Sequence, residues 1–380
     1  MKVPFVDLKQ QYATLKVEIG SAILDFVATT RYIGGPAVSG FESEFARLHG
    51  AKHCIGTNSG TSALHVALWA LGIGPGDEVI VPVNTFIATA EAVSLTGATP
   101  VFVDHDETYN LAIEPLRKLL SKKPGSVKGI IPVHLYGKPC STDTIVNLAR
   151  ENDLVVVEDC CQAHLAHALN PLSNGSAKTP VGTAGSAGAF SFYPGKNLGA
   201  YGEAGAVITH DDALAAQIRK ITDHGSDTKY HHEFPGHNYR LDAMQATILG
   251  VKLKYLKAWT DQRRNHARVY NEALKNIVEV DLPPKTVDDY HVYHLYIIRV
   301  RNRDPLRKFL EEQGIATGLH YPTPLHLQPA YSKLGYQRGD FPNAEKSCNE
   351  ILSLPMFPEL QPEQIQHVTE SIKKFYSKRK

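Results

Sequence analysis

The run Ala189-Phe190-Ser191-Phe192-Tyr193-Pro194-Gly195-Lys196-Asn197 ends a strand-forming stretch on a Pro-Gly turn that presents a lysine. Strand alternation puts Ser191 and Tyr193 on one face. Most lysines are solvated surface charges. A lysine partly removed from water at a strand end, however, can stand as a free amine and condense with an aldehyde to a Schiff base. Gly199, Gly202 and Gly205 follow, and their spacing predicts a closely packed or flexible loop around that turn.

Three further places carry chemistry. Asn58-Ser59-Gly60-Thr61-Ser62 precedes an apolar-periodic helix, so its N–H groups and hydroxyls suit an anion, although a simple helix cap explains the same residues. It lacks the Gly-Lys-Ser/Thr ending of a nucleotide-binding P-loop. Asp159 closes the hydrophobic run Leu154–Glu158, where a carboxylate can keep a ring nitrogen protonated or merely cap a turn, and Gln162 follows it toward the same edge. Phe86 offers a face for stacking. Together, Gly60, Thr61 and Ser191 suit a phosphate, Asp159 a pyridinium, Phe86 a ring and Lys196 an aldehyde. Those are the requirements of pyridoxal phosphate.

Bringing these residues together falls to alternating elements. Strands are predicted at Glu78–Pro82, Pro100–Val103, Lys128–Val133, Leu154–Glu158, Gly188–Phe192 and Ala206–Thr209, with helices at Thr61–Leu71, Ala88–Leu95, Ile113–Leu120, Thr142–Glu151 and Asp212–Thr222. The alternation predicts an α/β fold, a mostly parallel sheet flanked by helices, with ligands at the carboxyl ends of the strands. A helical stretch from Leu241 to Leu274 leads into a strand at Val292–Arg301 and helices at Pro305–Gln313, Asn343–Leu352 and Pro362–Tyr376. We therefore expect a large domain over 1–255 and a smaller α+β domain over 256–380.

Composition narrows the function classes. The 380 residues are 43% hydrophobic and 21% charged, with 40 basic against 39 acidic residues, so nothing points to nucleic acid or an anionic membrane. The basic end from Lys373 to Lys380 reads as a frayed helix terminus. Five scattered cysteines without a C-x-x-C pair fit a reduced, cytoplasmic protein. The opening MKVPFVDLKQQY has no apolar leader, and no apolar run reaches the roughly 18 residues of a membrane helix. The histidines, including His231-His232 and His164 with His167, lack zinc spacing and read as solvated or structural, so no metal is expected. Tyr290, Tyr293 and Tyr296, near His291 and His294, read as a strand with some members at the site mouth.

From Val3 to the C-terminus the chain resembles the DegT/StrS sugar aminotransferases, of the fold-type-I pyridoxal phosphate class. The matching stretches are Tyr32–Pro36, Asn58–Leu64, Pro82–Thr89, Val157–Gln162, Ser191–Gly202, Asn238–Gln245 and His320–Pro324. The resemblance implies that Lys196 carries the cofactor, Asp159 pairs with its ring nitrogen and Gln162 touches its hydroxyl. It implies a phosphate held by Gly60, Thr61 and Ser191, a ring stacked on Phe86, and Asn238 reaching the phosphate from the partner of a homodimer. Arg240 would bind the donor carboxylate, usually glutamate, and His320 and Tyr321, with Tyr193, would contact the sugar. Glu203-Ala204-Gly205 departs from the Asp-Gly-Gly expected there, which puts the backbone at Ala204 in question. The wording around Lys196 is similar to enzymes that aminate carbon 3 of dTDP-linked keto-6-deoxysugars.

The resulting expectation is transamination from an amino acid to a nucleotide-linked keto-sugar. Its alternatives are amination of a UDP-, dTDP- or GDP-linked 4-keto sugar and a non-catalytic cofactor-binding regulator. Relatives of this scaffold that remove a hydroxyl can carry His in place of the cofactor lysine, and Lys196 argues against that subtype. A desulfurase needs a mobile cysteine, whereas Cys160 and Cys161 read as buried packing residues.

Overall fold

The β-branched runs assemble into one sheet. The computed structural model describes residues 1–122, 125–169, 178–284 and 290–377. In chain order the first strands are β1 (His53–Thr57), β2 (Glu78–Pro82), β3 (Thr99–Val103), β4 (Val127–Ile130) and β5 (Val155–Asp159). A hairpin of β6 (His167–Leu169) and β7 (Lys178–Pro180) precedes β8 (Ala187–Ser191) and β9 (Gly205–Thr209). The seven-stranded sheet has the order β1-β9-β8-β5-β4-β2-β3. Of its members only β9 runs against the others, pairing antiparallel with both β8 and β1.

The helices are α1 (Leu8–Ala28), α2 (Gly35–Leu48), α3 (Gly60–Ala70), α4 (Ile87–Leu95), α5 (Ile113–Lys122), α6 (Thr142–Glu151) and α7 (Asp212–Thr222). Helix α3 is apolar nearly all round, with every residue from Ser62 to Leu68 buried, as suits a helix covered on both sides. It packs with Val79, Val81, Val157 and Val207 from the sheet. Its companions α5, α6 and α7 keep one apolar stripe, as the periodicity predicts. Strand β1 was not predicted: His-Cys-Ile-Gly-Thr breaks the β-branched signal, and its place comes from pairing with β9.

After a small hairpin of β10 (Ser226–Thr228) and β11 (His231–His232), the expected long helix divides into α8 (Ala243–Leu253) and α9 (Leu256–Leu274). No Gly or Pro marks the break. Leu256 is drawn into the core beside Leu249, while Tyr255 turns out to stack on Trp259. Beyond it, β12 (Val280–Asp281), β13 (Tyr296–Val300) and β14 (Ile351–Leu354) form an antiparallel sheet, accompanied by α10 (Arg303–Glu312), α11 (Pro342–Glu350) and α12 (Pro362–Ser377). Their core also takes in Val3, whose backbone exchanges hydrogen bonds with Gly314 and Ala316. Of the expected tyrosine strand only Tyr296 belongs to one, and neither Tyr290 nor Tyr293 lines the cavity described below. The last three residues of the basic end lie outside the described residues.

Candidate active site

The carboxyl ends of β5 and β8 and the start of β9 meet at one sheet edge, because Asp159 pairs with Ala189 and Ser191 with Gly205. A cavity of about 400 Å³ opens there, the size of a small-molecule site. Gly60, Thr61, Phe86, Asp159, Gln162 and Ser191 line it, as do Tyr193, Lys196 and Tyr321. Ser191 and Tyr193 thus share the cavity side, with Phe192 between them buried in the core.

Lys196 sits on the predicted turn, closed by its own N–H donating to the Tyr193 carbonyl at 2.8 Å. Gly199 presses on that turn so closely that a Cβ would lie 2.2 Å from the Pro194 oxygen. Burial pushes the Lys196 amine below the usual lysine range, with Cys161 and Asp159 acting in the opposite direction. The amine is therefore readied as a nucleophile, while the carboxylate stays near enough to draw a proton toward the site.

Helix α3 points its N-terminus into the same space. The Ser59 hydroxyl takes the Ser62 N–H and the Ser59 carbonyl the Ala63 N–H, which leaves the N–H groups of Gly60 and Thr61 for an anion. A Cβ on Gly60 would lie 2.6 Å from Ser191 Cβ and 2.9 Å from Cys161 Sγ, so only glycine lets helix and strand close on each other. The expected cap is realised at Ser59, and the N–H groups beside it can still take an anion. Ala204 raises no difficulty: it is fully buried, lies outside the left-handed region and accepts the Phe192 N–H at 2.7 Å.

Asp159 is held by groups that the sequence reading missed. Thr89 donates its hydroxyl to Oδ2 at 2.8 Å, Thr85 lies 2.9 Å behind Thr89, and the Cys161 N–H donates to Oδ1 at 3.1 Å. Gln162 is also fixed, accepting the Tyr136 N–H at 2.7 Å and donating to the Tyr321 hydroxyl at 3.1 Å. The Tyr321 and Phe86 rings lie 5.4 Å apart at the mouth. Cys161 is not the packing residue expected: it is half-buried and lines the cavity, while Cys160 is fully buried.

Other expected residues lie elsewhere. His320 does not line the cavity; its ring stacks on Phe5 and its Nδ1 bonds Ser353 Oγ at 2.7 Å. Burial, with Lys196 contributing, pushes that imidazole down to about 4. Asn238 and Arg240 line a separate, more open hollow that shares only Ser59 and Glu203 with the cavity. There Arg240 is already paired with Asp223.

Behind Asp159, Glu158 is fully buried and accepts from the N–H groups of Gly182, Ala184 and Gly185 and from His134 Nε2 at 3.0 Å. His134 Nδ1 accepts the Cys140 N–H, so the imidazole is neutral and Glu158 carries the charge. Cys160 completes a close trio of metal-ligand types, but its histidine and carboxylate atoms are already occupied by these bonds. The tether holds the 182–185 turn to β5 next to Asp159. His164 packs among Phe45, Phe190 and Phe192, and His231 pairs with Asp227.

An anion-ready helix end, a buried carboxylate and a lysine amine, spaced around one cavity, fit pyridoxal phosphate. The chain matches the model of the DegT/DnrJ/EryC1/StrS aminotransferase family over residues 14–373. It belongs to that family. The family's cofactor is pyridoxal phosphate, which the cavity residues suit. A pleiotropic regulatory protein of Geobacillus stearothermophilus is 48% identical over 99% of each chain. A dTDP-3-amino-3,4,6-trideoxy-alpha-D-glucose transaminase of Streptomyces venezuelae is 42% identical, covering 98% of this chain and 96% of its own. The crystal structure of S. venezuelae DesV in complex with a ketimine intermediate superposes with a TM-score of 0.93 at 42% identity, over 98% of both chains. The α/β architecture expected is that of this crystal structure. No helix among the described residues is long and apolar enough to cross a membrane.

Proposed function

We propose that the chain transfers an amino group from an amino acid, L-glutamate by preference, to a keto-sugar carried on a nucleoside diphosphate. The observation that carries this is Lys196, its amine lowered by burial, between Asp159 and the α3 N-terminus. In this reading Gly60 and Thr61 N–H groups and the Thr61 and Ser191 hydroxyls bind the phosphate, and Asp159 holds the ring nitrogen protonated. Phe86 covers one ring face, and Gln162 contacts the ring hydroxyl. When bound, the cofactor supplies an aldehyde for amines and a protonated ring that withdraws electrons. Lys196 would hold that aldehyde at rest with loss of water and, once the donor amine displaces it, its freed amine would take the proton from the donor's Cα and return one to the carbon that receives nitrogen.

Identity with a transaminase named for a dTDP-3-amino sugar supports a dTDP-linked 3-keto-6-deoxyhexose as acceptor. Tyr193 and Tyr321, which line the cavity, would meet that sugar, and Arg240 the donor carboxylate. We also propose a homodimer in which Asn238 reaches the partner's phosphate. The open hollow around Asn238 and the exposed Tyr12, Tyr32, Ile33 and Tyr201 support such a face.

Adding L-glutamate to the holoenzyme is expected to convert its visible absorbance and yield 2-oxoglutarate, after which a panel of dTDP- and UDP-linked 3-keto and 4-keto sugars identifies the acceptor. Turnover of 4-keto sugars alone would move the reaction to carbon 4. The regulatory relative favours one second reading, a cofactor-binding regulator, which predicts no conversion by any amino acid.

A further inference from the structure

We infer that Lys252 is a positioning residue for Lys196, holding from behind the loop that carries the reactive amine. The inference rests on Lys196 being the cofactor lysine. Lys252 lies in the apolar helix α8 and is fully buried. Its Nζ donates to the Gly199 carbonyl at 2.7 Å and stands 4.3 Å from the centre of the Tyr201 ring. Among the described residues no carboxylate forms an ion pair with it. Burial pushes its amine down to about 8, opposed only by Glu359.

A buried ammonium without a paired anion costs stability, and an apolar residue would fill the same helical position without that penalty. What the lysine provides in return is the hold on Gly199. Two helical turns earlier, and so on the same face of α8, Gln245 accepts the Tyr201 N–H at 2.9 Å. Gln245 Nε2 also lies 3.2 Å from where a Cβ on Gly202 would stand. One helix face thus holds the carbonyl of 199 and the N–H of 201, lies against the 201 ring and crowds the side-chain position of 202. From the other side Ala200 donates its N–H to the Phe192 carbonyl at 2.8 Å. Between these two anchorages the Pro194–Lys196 turn has one direction in which to present its amine, which is into the cavity.

Lys252→Met and Gln245→Leu test this through two measurements. In the cofactor-free protein, amide hydrogen exchange over residues 197–202 is expected to quicken about tenfold or more in Lys252→Met, and less in Gln245→Leu, with β2 and β5 unchanged. On adding pyridoxal phosphate, the rate at which borohydride fixes it at Lys196, read by peptide mapping, is expected to fall about tenfold. Gln245 is half-buried, so its variant carries both readouts if Lys252→Met does not fold. Exchange unchanged in the variants, or fixing at the wild-type rate, overturns the inference. Label on another lysine in the wild-type protein would instead overturn the assignment of Lys196, and the exchange data would stand apart from it.

Discussion

The cavity and the hollow beside it are built on different principles. The cavity draws Asp159, Ser191 and Lys196 from strand ends and the turn that follows, and each is fixed by at least one hydrogen bond within the chain. The hollow draws Asn58, Asn238, Arg240 and Asp242 from loops and a helix cap, lies open, and offers a guanidinium already engaged by Asp223. Rigid strand ends can hold a reacting group to a few tenths of an ångström, whereas loop residues on an open surface gain precision only when something covers them. The cavity residues are thus fixed by bonds within the chain, while the hollow lies open.

The largest test of this contrast is Lys196→Ala, which should remove the visible absorbance of the holoenzyme and lower turnover by about 10⁴-fold or more. Retention of the band would place the cofactor elsewhere. Next comes Glu158→Gln, which sets an amide against four donors that a carboxylate now satisfies. A loss of roughly 3–5 kcal/mol of stability is expected in denaturant unfolding, with cofactor affinity falling as the neighbouring Asp159 loosens. A loss below about 1 kcal/mol would show that the cavity's rigidity does not depend on that tether.

Acid should destabilise the fold through buried histidines. Burial pushes His49 down to about 4 and His291 to about 3, and in each the ring nitrogen that accepts a backbone N–H would have to be protonated. Because the unfolded chain then binds more protons than the folded one, stability is fully present above about pH 6.5, the unfolded histidine value. It declines as pH falls toward 4 and 3, by about 3 kcal/mol for His49 and about 5 kcal/mol for His291. Chemical denaturation at pH 7, 5.5 and 4.5 checks this, and a flat profile would contradict the neutral assignment.

Thr89→Val is a smaller step within the cavity. It removes one donor from Asp159 Oδ2 and should weaken cofactor binding about 10- to 100-fold by equilibrium dialysis, the scale of an unmet buried bond. Asn238→Ala should act least, about fivefold on cofactor affinity, and only at protein concentrations where a dimer forms. If its effect equals that of Thr89→Val in a monomer, the division between the two regions is wrong.

How much of this was legible follows from sequence distance. The lysine turn could be read because strand, breaker and amine are adjacent, and Asp159 because a hydrophobic run stops on it. The Thr89 bond to Asp159 could not, since 70 residues separate its partners and a threonine in an apolar helix carries no signal of its own. His134 and Glu158 are hidden in the same way, 24 residues apart. Lys252 looked like any helical lysine until the packing removed its water. The break between α8 and α9 has no proline or glycine to announce it. His320 is the opposite case: its motif was legible, and its side chain turns toward Phe5 and Ser353 instead of the cavity.

The reversal of β9 bears on how the chain reaches this arrangement. Since β8 and β9 are antiparallel neighbours, the segment from Phe192 to Ala204 closes a short local loop, and contacts of low sequence separation form fast. The carboxylate's partners must instead be gathered across parallel crossovers, which are slower to close. During refolding the β8–β9 loop should therefore close early, before α8 and the far wall of the pocket fix the lysine turn. Cofactor captured early would then be held first by its aldehyde and only later by its ring.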